Sequence, residues 1–408
     1  MDPIVWEWIG AGIRWLHVIA GIAWIGSSFY FVHLDSSLKP REGLPAGAYG
    51  EAWQVHGGGF YHMVKFLVAP AHMPEELTWF KWEAYATWLS GVALLIFVYY
   101  FGAQLYLIDK AVLDLSTWQA IGLSVLALIL GWVIYDGLCR SPIGRHDGLL
   151  ALVGFGFVVG TTFLFTEMFS SRGAFMQAGA LMGTIMAANV FMIIIPNQRK
   201  VVAALMRGEA PDPALGKRGK QRSMHNNYIT LPVVFVMISN HYPLAYGGSL
   251  NWLILAFLIV MGVAIRHFFN TMHKGLPAPW WTWWVAGVCA LIIVALSRAT
   301  PADPAATSGL IPAPAAAAAP VALAEAADIV AGRCSMCHAK EPVWEGITVP
   351  PKGVLLDSPE AIAAHASQIY IAAVWTHAMP PANITEMTLE ERRTLARWIE
   401  DRGQTAAN

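Results

Sequence analysis

Uncharged apolar runs long enough to cross a bilayer, roughly 20 residues each, recur eight times along this chain. They lie near 8–34, 86–107, 116–138, 148–168, 174–195, 226–246, 250–271 and 280–298. Each is expected to be a spanning helix, and Trp or Tyr residues flank several of them (Trp6, Trp8, Tyr106, Trp118 and the run Trp280 to Trp284), as interfacial belts require. The semi-apolar stretch 57–82 breaks the pattern with Gly57, Gly58, Gly59, Pro70 and Pro74, which predicts a hairpin or re-entrant loop. Residues 299–322 change character again. Ala and Pro dominate, with an unbroken Ala315 to Ala319 between Pro314 and Pro320, and the segment reads as a semi-extended tether. A shorter unit with mixed polar and apolar periodicity occupies 323–408.

Composition agrees with lipid as the solvent. The 408 residues are 56% hydrophobic and only 13% charged, about half the charged share of a soluble domain. A net charge of −1 excludes a strongly basic nucleic-acid binder, yet the charge is unevenly placed. The first, third, fifth and seventh connections between helices hold fifteen Lys and Arg, from Lys39 to Lys274, whereas the others offer only Lys110, Arg172 and Arg298. The positive-inside rule then puts both termini outside the cytoplasm. No basic n-region or small-residue cleavage site precedes the first helix, which is expected to start insertion itself.

Of the four cysteines, Cys139 and Cys289 lie in apolar stretches and read as buried thiols. Cys334 and Cys337 fall in Cys334-Ser335-Met336-Cys337-His338, the C-x-x-C-H attachment pattern of a covalent haem c. His338 is placed to ligate the iron from one face. Met379, in Ala378-Met379-Pro380-Pro381, is the expected second ligand, since a thioether raises the potential of an electron acceptor; His377 is its rival. A capping-box pattern, Thr388-x-x-Glu391, opens a last helix. The expected fold is all-α: an eight-helix transmembrane bundle over 1–298, the linker 299–322, and a small class I-type cytochrome c domain over 323–408 outside the membrane.

Polar groups within membrane helices are functional candidates. By depth, His17 and His241 lie on the outer half and form a candidate ligand pair for a haem b, with His33 and His225 a lesser pair at the opposite level. The bland alternative for each histidine is a hydrogen bond to a neighbouring helix. The stretch Leu16 to Gly26 also resembles the first helix of bacterial membrane protoporphyrinogen oxidases, which bind haem through such a histidine.

The segments His56-Gly57-Gly58-Gly59-Phe60-Tyr61-His62, Trp79-Phe80-Lys81-Trp82-Glu83-Ala84-Tyr85, Thr87-Trp88-Leu89-Ser90-Gly91 and Ser239-Asn240-His241-Tyr242-Pro243 carry a wider resemblance. With them the chain resembles the cytochrome-c-fused membrane urate oxidases of bacterial purine degradation. The resemblance implies oxidation of urate to 5-hydroxyisourate with oxygen from water. Electrons would pass to haem c, and on to a downstream cytochrome c or terminal oxidase, rather than directly to O2. Urate is a flat anion, so its site needs a cation, amides and a base. His56, His62, Lys65, Lys81, Trp82, His225, Asn226, Arg266 and His267 supply such groups on the cytoplasmic side, although Lys65, Lys81 and Arg266 also fit as mere positive-inside charges. Two electrons leave urate while haem c takes one, and haem c is about 30 Å away across the bilayer, which calls for a relay such as haem b. The competing expectations are a membrane-anchored cytochrome c carrier and a cytochrome-c-linked dehydrogenase for another small reductant.

Overall fold

The computed structural model describes residues 2–66, 74, 76–299, 320–345 and 347–407; Pro70 and most of the expected linker lie outside the described residues. The chain is mostly helical. The first helix, α1 (Pro3–Ser37), is capped by Asp2, whose carboxylate accepts from the Ile4 amide at 2.8 Å. It leads to a hairpin, β1 (Ala48–His56) and β2 (Gly59–Phe66), with Gly57 and Gly58 both at positive φ in the turn, a conformation that glycine adopts without strain. The predicted interruption at 57–59 is therefore a β-hairpin turn.

Six long helices follow: α2 (Trp82–Tyr100), α3 (Thr117–Arg140), α4 (Asp147–Thr166), α5 (Ser171–Met206), α6 (Pro213–Ile238) and α7 (Asn251–His273), and α8 (Trp281–Ala299) completes the bundle. Among the described residues, seven helices, all of these but α6, are long and apolar enough to cross a membrane. The run expected as one helix over 226–246 differs most. Its helix begins earlier, at Pro213, with Lys217, Arg218, Lys220 and Arg222 in its first half, and stops at Ile238. A 3₁₀ turn, Ser239–His241, and one helical turn, Pro243–Tyr246, replace the expected end. Pro243 is the reason: the residue before a proline is driven out of the helical region, and Tyr242 has φ −129 and ψ 81. The internal Pro232 is accommodated because α7 presents Gly262 to it; a Cβ there would come within 2.7 Å of the proline ring.

The core of the bundle gathers Phe165, Phe169, Phe175, Leu181, Met182, Val236 and Leu255 around α5. The peripheral helices turn large apolar side chains outward, among them Trp8, Trp15, Leu152 and Leu291. Such continuous apolar exterior is stable only against an apolar surrounding.

Residues 320–407 build a second core from Ala326, Val330, Leu356, Ile369, Val374, Leu395 and Trp398, with α9 (Leu323–Arg333) crossing α10 (Leu389–Ala407). The predicted capping box is present. The Glu391 amide donates to Thr388 Oγ1 at 3.2 Å and the Thr388 amide to Glu391 Oε2 at 2.7 Å. Arg333 Nε donates to the same carboxylate at 2.9 Å and ties the two helices together. Burial works against the Glu391 charge, but the bonds from Thr388 and Arg333 outweigh it and hold the carboxyl below its usual range. A depressed carboxyl stabilises the fold above the ordinary glutamate pKa of about 4.3 and loses that contribution as pH falls through the lowered value. Thermal melts should therefore separate wild type from Glu391→Gln near neutral pH, with the gap closing in acid.

Candidate functional site

Two arginines are buried in the bundle, and their surroundings differ. Arg222 on α6 is neutralised: its Nη2 meets Asp136 Oδ1 at 2.6 Å, and Arg140 holds the other carboxylate oxygen at 2.6 Å. The pair opens a network. Arg222 Nη1 donates to Asn189 Oδ1 at 3.3 Å, Asn189 Nδ2 to the Tyr135 hydroxyl and Asn226 Oδ1, and Asn226 Nδ2 to Met186 O at 2.9 Å. Tyr135 also bonds His225 Nδ1 at 2.7 Å. Asn189 opens a π-helical turn in α5, Asn189–Ile194, a distortion common at functional positions.

Arg266 on α7 is 5% exposed and has no carboxylate partner among the described residues. Its Nε donates to Asn227 Oδ1 at 3.3 Å, its Nη2 to Asn270 Oδ1 at 3.0 Å, and its guanidinium carbon lies 3.6 Å from the centre of the Phe29 ring. Asn270 Nδ2 donates to Asn227 Oδ1 as well, while the buried Asn227 Nδ2 has no partner. About two turns beyond Arg266 on α7 stands His273, its buried Nδ1 also without a partner among the described residues and its ring 4.4 Å from that of His33. His267 Nδ1 is held by the Tyr228 hydroxyl at 3.1 Å. This cluster contains an uncompensated cation, a spare amide donor and histidines. Burying an unpaired charge is costly, so the arrangement suits a ligand that brings a negative charge and carbonyl groups.

The other expected site residues lie apart from that cluster. His56 ends β1 beside the exposed turn. His62 stacks on Trp53 at 4.2 Å and bonds Glu51 at 2.6 Å, and Lys65 pairs with Asp35 at 2.7 Å. Lys81 stands over the Trp82 ring at 5.6 Å. Asn226 belongs to the Arg222 network, whereas its neighbour Asn227 faces Arg266. Asn227, Asn270, Phe29, Tyr228 and His273 complete the cluster. Phe29 carries no sequence signal, as one apolar residue in an apolar helix.

Among the described residues no contact joins His17 to His241 or His33 to His225. His33 neighbours His273, and His225 serves Tyr135. His241 is exposed at the end of the 3₁₀ turn. His17 is better placed for a metal: its Nδ1 bonds Thr87 O at 3.0 Å and Ser90 Oγ at 3.1 Å, which orients the ring and leaves Nε2 as the ligand atom. Gly91 makes the space, since a Cβ there would sit 3.0 Å from His17 Cε1.

In the C-terminal unit His338 Nδ1 bonds Val354 O at 3.0 Å, again leaving Nε2 for a metal. Burial pushes the Cys334 thiol up to about 11 and raises the Cys337 thiol too. Both therefore stay protonated at neutral pH, unlike the low-pKa pair of a redox dithiol. The Met379 segment is pinned at both backbone ends. Its amide donates to Ala372 O at 2.8 Å, and its carbonyl accepts from Arg392 Nη1 at 2.9 Å. Arg392 also reaches the Ala373 carbonyl and Asn383 Oδ1, and burial draws its guanidinium down to about 10. In sequence Arg392 reads as part of a charged helix face. His377 lines the cavity between the C-terminal unit and the bundle. The two free thiols and the oriented His338 fit covalent haem attachment.

No curated protein and no solved structure shows significant similarity to the chain. Residues 3–297, the hairpin and all the long bundle helices, match the family described as urate oxidase N-terminal. By that match the chain belongs to the urate oxidase N-terminal family.

Proposed function

We propose that the chain is a membrane-bound urate oxidase that converts urate and water to 5-hydroxyisourate, two protons and two electrons, and delivers the electrons to a haem c on its C-terminal unit. The observation that carries the reading is the buried, un-neutralised Arg266, set between two asparagines in a chain of this family. Urate brings the missing negative charge. Its carbonyl edge accepts from the spare Asn227 Nδ2 and from the guanidinium, and His267, oriented by Tyr228, is the base that takes a proton from the attacking water. The substrate thereby exchanges a costly lone cation for a hydrogen-bonded pair.

In this reading α6 is the eighth crossing, both termini face the periplasm, and residues 323–408 form the cytochrome domain. Cys334 and Cys337 hold the porphyrin by thioethers, and His338 and Met379 ligate its iron, which supplies a one-electron acceptor. Fifteen residues of α7 separate Arg266 from Asn251 at the end where the C-terminal unit sits, a rise of about 22 Å. That span calls for a relay, and His17 is the best-prepared ligand for a haem b, with His241 as its proposed partner.

Anaerobic addition of urate to the purified protein tests the reading. Urate absorbance should bleach as two equivalents of haem c are reduced. Cys334→Ser with Cys337→Ser should remove covalent haem and this reduction together. Ready reduction by quinol with none by urate would instead identify a membrane-anchored carrier.

A further inference from the structure

The C-terminal unit rests on one end of the bundle through the residues on either side of Met379: Trp375 to Ala378 before it, and Pro381–Asn383 after it, which pack against Ala103–Tyr106. Trp375 Nε1 donates to Ser297 O at the end of α8, at 2.8 Å. Thr376 lies so close to Gly247, in the connection between α6 and α7, that a Cβ on that glycine would come within 2.3 Å of Thr376 Cβ and 2.7 Å of its carbonyl oxygen. Ala378 packs against the core of the bundle itself. Gly247 has an ordinary φ of −84, so backbone conformation does not require glycine there; the approach of Thr376 does.

Behind this contact is a cavity of about 240 Å³, lined from the bundle by Arg172 and Tyr246 and from the C-terminal unit by Thr376, His377 and Ala378. Arg172 stands 4.7 Å over the Tyr106 ring, and its Nε donates to Asn240 Oδ1 at 3.0 Å. The same oxygen accepts from the hydroxyl of buried Tyr99, whose ring centre is 6.2 Å from that of Tyr106. A packed aromatic and hydrogen-bonded column thus runs from the Met379 segment into α2, the helix that carries the Thr87 and Ser90 partners of His17.

We propose that this seat is the electron port of the protein: Gly247 and Ser297 fix the Met379 segment at the bundle mouth, and the Arg172–Tyr106–Tyr99 column is the path by which electrons leave the bundle. It rests on the reading of Cys334 to His338 as a haem c site. Each urate oxidised sends two electrons through the seat, one at a time, each reducing one ferric iron to ferrous. Arg172 is a positioning residue here, holding Tyr106 and Asn240 in register.

The test uses the full-length haem-loaded protein and the variants Gly247→Leu and Trp375→Phe. Both should loosen the seat, so amide hydrogen exchange at Thr376 and Met379 should quicken by about tenfold or more, and urate-driven haem reduction should slow comparably, because small displacements of reacting groups are costly. Haem content and direct reduction by ascorbate should not change. The second variant keeps the test open if Gly247→Leu fails to fold. Unchanged exchange in the folded variants overturns the seat, and faster exchange with an unchanged urate-driven rate overturns the port. Failure of the urate reading is seen separately, as a wild-type haem that ascorbate reduces and urate does not.

Discussion

Arg266→Ala is expected to lower kcat/KM for urate by about 30-fold to several thousandfold while leaving haem content and folding yield near wild type. Truncating one partner of a buried, hydrogen-bonded charge pair costs about 2–5 kcal/mol, or about 30-fold to several thousandfold at about 1.4 kcal/mol per decade. In the proposed function the charge pair forms only when urate is bound. Among the described residues the guanidinium meets two amide oxygens, at 3.3 and 3.0 Å, and no carboxylate, so removing it relieves a desolvated cation and strands no partner charge among them. Activity should fall without a matching loss of stability. Arg266→Lys should recover little, because an ammonium cannot reproduce the two-pronged contact with Asn227 and Asn270. Anaerobic urate bleaching across a concentration series checks this; kinetics within threefold of wild type in Arg266→Ala would remove Arg266 from the substrate site.

Much of the bundle is legible in sequence because a spanning helix announces itself as an uncharged run. α3, α4, α7 and α8 begin and end within three residues of the expected boundaries. The failures have local causes. α6 starts thirteen residues before its apolar part, from an Asp212 cap that accepts from the Ala214 amide at 2.9 Å, and a polar half-helix reads as loop. α5 continues eleven residues past the expected end, because its π-helical turn passes without a break into Ile195–Met206.

The C-x-x-C-H pattern stands out in sequence because its residues, Cys334 to His338, are consecutive. The Arg266 cluster is legible only in part. Arg266 stands out as a cation in an apolar run. That it meets no carboxylate among the described residues is set by packing, as is the Arg222 contact with Asp136 across 86 positions of chain. The adjacent Asn226 and Asn227 serve different networks because neighbours on a helix point to different sides, which a list of polar residues does not reveal. Depth alone pairs His33 with His225, yet the packing of α1 on α7 gives it His273.

The Arg222 network makes the opposite prediction to Arg266. Asp136→Ala is expected to destabilise the protein by about 3–5 kcal/mol, the cost of stranding one member of a buried ion pair, and to show as a large fall in the melting temperature and in the yield of folded protein. Arg222 is 3% exposed and its Nη2 lies 2.6 Å from Asp136 Oδ1. Its remaining contacts, Asn189 Oδ1 at 3.3 Å and the faces of Trp132 and Tyr135, do not neutralise it. Arg140 Nε, the other partner of Asp136, is exposed and recovers its hydration at little cost. The stranded charge is therefore that of Arg222, and Arg222→Met in the Asp136→Ala background should restore most of the lost stability. Such a cycle reports a coupling that charge removal at Arg266 is not expected to show, because among the described residues Arg266 has no acid beside it to strand. Equal melting of Asp136→Ala and the double variant would mean that the Asp136 carboxylate acts on something other than Arg222, and the contrast between a structural and a receptive arginine would then fail.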